Sequence, residues 1–126
     1  MLELERGIQL GYDVPNPSNY TWLQCKEPRN LPSEWLVLDL GPGELAAMAL
    51  ALEHPDHIVL LDDALARSIA QAASFMVWGS LRLLLEAKKQ GITAQIEPLV
   101  DKLSALGMWI SADVRHRILT LAGEET

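Results

Sequence analysis

The sequence has almost no cysteine, no long apolar run and no excess of positive charge, and each absence excludes a class of protein. Its single cysteine, Cys25, has no second thiol for an internal disulfide and no partner in a CxxC or Cys/His set, which excludes a disulfide scaffold and a structural zinc site. No apolar run is as long as a membrane span, and acidic residues follow Met1 where a secretion signal has basic and apolar segments. The sequence therefore predicts a soluble, cytoplasmic protein.

Basic residues are scarce. The chain has 10 Lys and Arg against 17 Asp and Glu, which gives a formal net charge of −7. This excludes a general polyanion-binding surface, because such affinity comes from Lys and Arg displacing counterions. The two local exceptions are Arg82 with Lys88 and Lys89, and residues 115–117. Each of these two basic groups is either a local contact for nucleic acid or a solvated helix face. A solvated helix face is the commoner of the two.

Several catalytic motifs are missing. The sequence contains no Gly-rich phosphate loop, no Ser-His-Asp set and no metal-spaced pair of histidines. His54 and His57 flank Pro55 in a predicted turn, where we expect them to face solvent. A phosphatase or a small-molecule enzyme is therefore disfavoured.

The chain does have enough apolar residues, 49% of its 126, to form the core of one domain. Residues 12–33 differ in composition, because they contain four prolines with several Asn and Ser residues. This composition predicts a long Pro-rich loop or arm, and such a loop in a compact domain usually contacts a partner. Its expected anchors are Tyr20 and Trp22.

After this segment, short apolar runs alternate with helical patterns. Residues 57–62 and 75–78 are predicted strands, residues 108–110 are a further short extended piece, and residues 35–38 are either a strand or the approach to a helix. The helical patterns contain good helix formers and recognisable ends, and they cover 2–10, 44–53, 63–73, 80–90, 94–106 and 111–122. This alternation predicts a helix-rich α/β fold with a short parallel sheet and helices on both faces.

The most informative feature is the pair Asp62-Asp63, which ends the apolar run 58–61 just as a helical pattern begins. Acids at the carboxyl end of a buried strand lie where open α/β sheets form their sites. Glu44 begins the preceding helix, so it is placed to face them. The three carboxylates are either a site for a hard cation or a set of helix caps and dipole partners.

Four motifs follow one another in the chain. They are Gly43-Glu44 at the start of a helix, an LLDDxxAR stretch at 60–67, Val-Trp-Gly-Ser at 77–80 and an LLxxAKxxG stretch that ends at Gly91. In this order they resemble the prokaryotic, toxin-type branch of the PIN-like domain family, and the ending from Met108 onward is similar too. Ser80 stands where that family usually has Thr, which keeps the hydroxyl group.

The resemblance implies a three-layer PIN-like fold and a metal-dependent ribonuclease, of the kind that acts as the toxin in toxin–antitoxin pairs. Mg²⁺ or Mn²⁺ held by carboxylate oxygens would activate water and neutralise phosphate charge for hydrolysis of RNA. By resemblance the catalytic residues are Glu44, Asp62 and Asp63, and Glu3 joins them as a metal ligand. The implied partners are an RNA substrate and an antitoxin protein.

The start of the chain departs from that family. PIN-like domains open with a strand that ends in Asp and lies mid-sheet, and nothing before Glu3 matches it. The resemblance therefore predicts one domain, residues 1–126, that is truncated at its N-terminus and lacks the usual first strand. A site with one carboxylate fewer should bind Mg²⁺ or Mn²⁺ weakly, so we expect this chain alone to be inactive or weakly active.

A missing central strand also predicts a homodimer, because unpaired strand edges invite pairing with another chain. The helix predicted at 44–53 is apolar nearly all round, which adds surface that must be covered. The segment 12–33 is long enough to reach a neighbour and is the candidate exchanged arm. The alternative function is a non-catalytic interaction or assembly protein that keeps the scaffold.

Overall fold

The computed structural model describes residues 2–126 and shows a helix-rich α/β fold. The α-helices of these residues are α1 (Leu2–Gln9), α2 (Pro42–Glu53), α3 (Ala64–Ala72), α4 (Ser80–Lys89), α5 (Glu97–Ala105) and α6 (Ala112–Leu121). The strands are β1 (Val59–Leu60) and β2 (Val77–Trp78), and two 3-10 helices cover Pro17–Asn19 and Ser33–Val37. The predicted fold class is confirmed. No helix in the described part of the chain is long and apolar enough to span a membrane.

The strands β1 and β2 form a parallel sheet, and α3 is the crossover between them. Val59 lies opposite Val77, and the Leu61 N–H donates to the Trp78 carbonyl at 2.9 Å. Helix α2 packs on β1 and α3 packs on β2. Only residues 54–58 connect α2 to β1, so α2 must run antiparallel to the strand. The first turn of α2 therefore lies at the carboxyl edge of the sheet.

Both strands are shorter than predicted, since their ladder covers two residues of each. Of the two alternatives for residues 35–38, the strand is excluded, because residues 35–37 belong to a 3-10 helix in which the Trp35 N–H donates to the Pro32 carbonyl at 3.0 Å. Trp35 packs edge-on against Phe75 instead of joining a sheet. Residues 108–110, predicted as a short extended piece, are irregular and pair with no strand among the described residues.

The predicted helix ends are close to those observed where a local signal sets them. Helix α4 stops before Gly91, which has a φ of +75°, a conformation that glycine adopts without strain. Ser111 caps α6 as predicted, because its Oγ accepts the Val114 N–H at 3.1 Å. Helix α5 begins at Glu97, three residues later than predicted, where a residue 27 positions further along the chain caps its first turn.

That cap is the carboxylate of Glu124. It accepts the N–H groups of Ile96 at 2.8 Å and Glu97 at 3.0 Å, and the Lys88 ammonium donates to it at 2.9 Å. The hydrogen bond from Ile96, with those from Glu97 and Lys88, holds the pKa of Glu124 below its usual 4.5. One charged side chain therefore joins α4, the start of α5 and the end of α6.

Two clusters of buried side chains form the core. The first joins α2, β1 and α3 and consists of Met48, Ala51, Val59, Leu61, Ala66 and Ala70. The second joins α4, α5 and α6 around Ile96, Val100, Ile118 and Leu119. The prediction that α2 is buried holds for the face with Met48, but Leu52 on the same helix is 50% exposed.

Candidate functional site

The carboxyl edge of the sheet carries the predicted acids. Asp62 and Asp63 directly follow the end of β1, and Glu44 lies in the first turn of α2, which reaches the same edge. Asp62 and Asp63 are exposed, whereas Glu44 is half-buried. The topology therefore brings strand-end and helix-start carboxylates to one side of the molecule, as the alternation of strands and helices predicts.

Asp62 binds the turn that follows β2. Its Oδ1 accepts the Ser80 N–H at 2.7 Å, and its Oδ2 accepts the Ser80 hydroxyl at 2.6 Å. Ser80 is the first residue of α4, so the carboxylate also lies at the positive end of that helix. This pairing links the ends of the two strands and uses both oxygens of Asp62.

Asp63 is the N-cap of α3. Its Oδ2 accepts the Ala66 N–H at 2.9 Å, and its backbone has the extended conformation usual for such a cap. The sequence left open whether Asp62 and Asp63 bind a cation or cap a helix, and Asp63 here caps a helix. A cap of this kind needs only residues three apart in the chain.

Glu3 and Glu44 flank the first turn of α2. The Glu44 carboxylate folds back over Gly41 and occupies the space that a side chain would take there. A methyl group on Gly43 would lie 3.0 Å from Glu3 Oε1, so α1 brings this second carboxylate to the same turn. Two negative charges at a helix N-terminus are favourable, because the helix dipole is positive there.

A cleft of about 690 Å³ opens beside Asp62. Three cationic side chains line it, Arg67 from α3 and Arg82 and Lys89 from α4. Leucine and isoleucine side chains from α4 and α6 contribute apolar lining, and Trp109 also lines the cleft. Glu86 from α4 lines the cleft as well. The cleft thus combines three cations with the two carboxylates of Asp62 and Glu86 and an aromatic ring.

Both arginines lie close to other groups of the cleft. A methyl group on Gly79 would lie 3.0 Å from Arg67 Nη1 and 3.3 Å from Asp62 Oδ1. Arg67 and Asp62 therefore both approach the backbone of Gly79, which has no side chain. The guanidinium of Arg82 lies over the ring of Trp78, 4.5 Å from its centre. The Trp78 ring therefore helps to hold Arg82 at the cleft, and Arg67 lies close to Asp62 there.

A family model of the PIN domain matches residues 2–124. The chain belongs to the PIN domain family. PIN domains are nuclease-like in general and generally use divalent metals. No curated protein and no solved structure matches the chain significantly. The family predicted from the four motifs is confirmed, while the toxin-type branch stays a prediction.

The predicted ligands of this PIN domain do not form one complete metal site. Among the described residues, no three His, Cys, Asp or Glu side chains gather into a group that could hold a metal ion. Glu3 and Glu44 lie at the first turn of α2, Asp62 is bound to Ser80, and Asp63 caps α3. The described residues therefore show no group with the several oxygen ligands that such a cation needs at once.

The two basic groups noted in the sequence have different roles. Lys89 and Arg82 line the cleft, but Lys88 turns away to the Ala122 carbonyl and Glu124. Hydrogen bonds to Asp101 and Glu97 raise the pKa of Arg115, so its charge is used within the protein.

Sequence reasoning assigned no role to Arg67 and Trp109. A signal was present for Arg67, which ends the LLDDxxAR motif just after the two aspartates. No local pattern identified Trp109, because it lies in an irregular segment between two helices. His57 is exposed as expected and pairs with Asp56, which lowers the pKa of that carboxyl group, while His54 is half-buried.

Proposed function

We propose that this PIN domain binds RNA in the cleft beside Asp62 and is related to the ribonucleases of toxin–antitoxin systems. The cleft is the observation that supports this proposal. Its three cations, Arg67, Arg82 and Lys89, outnumber its two carboxylates, although the net charge of the chain is −7. Lys and Arg supply most of the affinity for phosphate backbones, and a cleft focuses their field. The net negative charge of the chain opposes RNA binding elsewhere, so the cleft is the proposed RNA site.

Such a ribonuclease would use Mg²⁺ or Mn²⁺. Glu44 and Asp62 would be the main metal ligands, and Glu3 and Asp63 would be additional ones. The described acids form no group of three. We therefore propose that cleavage of RNA by this chain alone is weak or absent, and that RNA binding is the activity that it retains.

The test measures binding and cleavage on the same sample. Fluorescence anisotropy with a labelled single-stranded RNA should detect binding, and gels of the same RNA incubated with Mg²⁺ or Mn²⁺ should show little cleavage. Rapid cleavage that disappears in Glu44→Gln would contradict the second part of the proposal. Failure to bind any single-stranded RNA at low salt would contradict the first.

A second candidate is an assembly protein, alone or with an antitoxin-type partner. Within the described residues β1 pairs only with β2, so its other edge has no strand partner there. Large apolar side chains are also exposed in the first part of the chain, and they are Ile8, Leu10, Tyr12, Tyr20, Trp22, Leu23, Leu31, Leu36 and Val37. Open edges and apolar surface of this kind favour an interface, most simply a homodimer in which the segment 12–33 reaches the neighbour.

Sedimentation at micromolar concentration tests the dimer. We expect a dimer for the wild type and a shift toward monomer for Leu60→Lys, because lysine on an edge strand opposes pairing. Leu65→Lys is the matched control, since Leu65 is exposed to a similar degree but lies on α3. A wild-type chain that sediments as a monomer at every concentration would rule out this assembly.

A further inference from the structure

Trp109 lies at the cleft with most of its surface in water. Its side chain is 86% exposed, and it lines the cleft together with Arg67, Arg82 and Lys89. In the described chain each of the other tryptophans has a ring or a cation as a neighbour. Trp22 lies beside Tyr20, Trp35 packs against Phe75, and Trp78 lies under Arg82. Trp109 is the one whose ring has neither, so its large aromatic face is available to a ligand of the cleft.

The backbone on both sides of Trp109 is held in place. The Met108 N–H donates to the Leu103 carbonyl at 3.0 Å, and Ile110 packs against the second core cluster. Ser111 then caps α6. Since its neighbours are anchored, the ring is presented from a fixed point, and binding a ligand there orders only the side chain, which has two rotatable bonds.

We infer that Trp109 stacks on an unpaired base of RNA whose phosphates contact the cations of the cleft; this rests on the proposed function. Every base has a π-face, and aromatic side chains beside basic grooves bind single strands by stacking. Bases inside a duplex are already stacked on one another, so they do not offer this face. Trp109 therefore makes the cleft selective for unpaired RNA over duplex RNA.

The experiment compares a labelled single-stranded RNA with the same strand in a duplex, by fluorescence anisotropy. Trp109→Ala should weaken binding of the single strand roughly 5- to 150-fold, the range found for the loss of one stacked base. Trp109→Phe should restore most of the affinity, since it keeps an aromatic face. Trp22→Ala, which removes an indole that is 77% exposed outside the cleft, should leave affinity unchanged.

The outcomes separate this inference from the proposed function. Equal binding of the single strand by the wild type and Trp109→Ala would overturn the stacking role and leave RNA binding intact. Equal affinity of the wild type for the single strand and the duplex would overturn the selectivity. A wild type that binds neither RNA would overturn the proposed function as well. Quenching of indole fluorescence by the single strand, lost in Trp109→Ala, is the independent supporting signal.

Discussion

Replacement of Arg67, Arg82 and Lys89 together by glutamine is expected to weaken binding of single-stranded RNA roughly 100-fold. The three side chains line one cleft. Each replacement removes a charge-assisted contact to phosphate that is worth on the order of 1 kcal/mol at a partly exposed site. Three such contacts amount to about 3 kcal/mol, which corresponds to a loss of affinity of roughly 100-fold. Anisotropy titrations at several salt concentrations measure it. The slope of log affinity against log salt should become shallower by about 2.

The matched control removes the same amount of charge elsewhere. Lys26, Arg29 and Arg117 are exposed and lie outside the cleft. If the cleft is the RNA site, the triple glutamine variant at these positions should lose much less affinity. Equal losses in the two variants would mean that RNA senses only the net charge of the chain, and the cleft would no longer be the proposed site.

The second large effect concerns stability. Met48→Ala should lower the free energy of unfolding by about 2–5 kcal/mol, because Met48 is 0% exposed and its truncation leaves a cavity at the centre of the first core cluster. Such a loss is a large part of the roughly 5–15 kcal/mol that stabilises a typical domain. Urea denaturation followed by tryptophan fluorescence measures it, and Trp35, which packs on this cluster, reports on the region.

Two variants define what the result means. Met48→Leu keeps the side-chain volume and should cost less than about 1.5 kcal/mol. Leu52→Ala removes an apolar side chain from the same helix, but Leu52 is 50% exposed, so its loss should cost much less than that of Met48. A Met48→Ala variant as stable as the wild type would show that the cluster collapses around the missing side chain.

The fold class and most helices were predictable because their signals are local. Apolar runs at 57–62 and 75–78 alternate with helical patterns, and this alternation is enough to predict a parallel sheet. Gly91 ends α4 and Ser111 starts α6 by contacts that involve only neighbouring residues. The motifs also predicted the PIN domain family, which the family model confirms.

The acids show where local prediction ends. The cap formed by Asp63 is predictable, since the carboxylate and the Ala66 N–H are three residues apart. The partner of Asp62 is not, because Ser80 lies 18 residues away and meets it only when β2 pairs with β1. No sequence pattern reveals whether carboxylates at one edge of a sheet converge on an ion or bind separate helix ends.

The sequence by itself determined the helix-rich α/β class, the edge of the sheet where the acids lie and the family to which the chain belongs. Tertiary structure alone decided that Glu124 caps α5, that Lys88 turns away from Lys89, and that Trp109 and Arg67 line one cleft. The physical reason is the distance along the chain between the residues that interact. Turns, caps and periodicity depend on residues a few positions apart. The groups named here are far apart in the chain and come together only when the helices pack on the two core clusters.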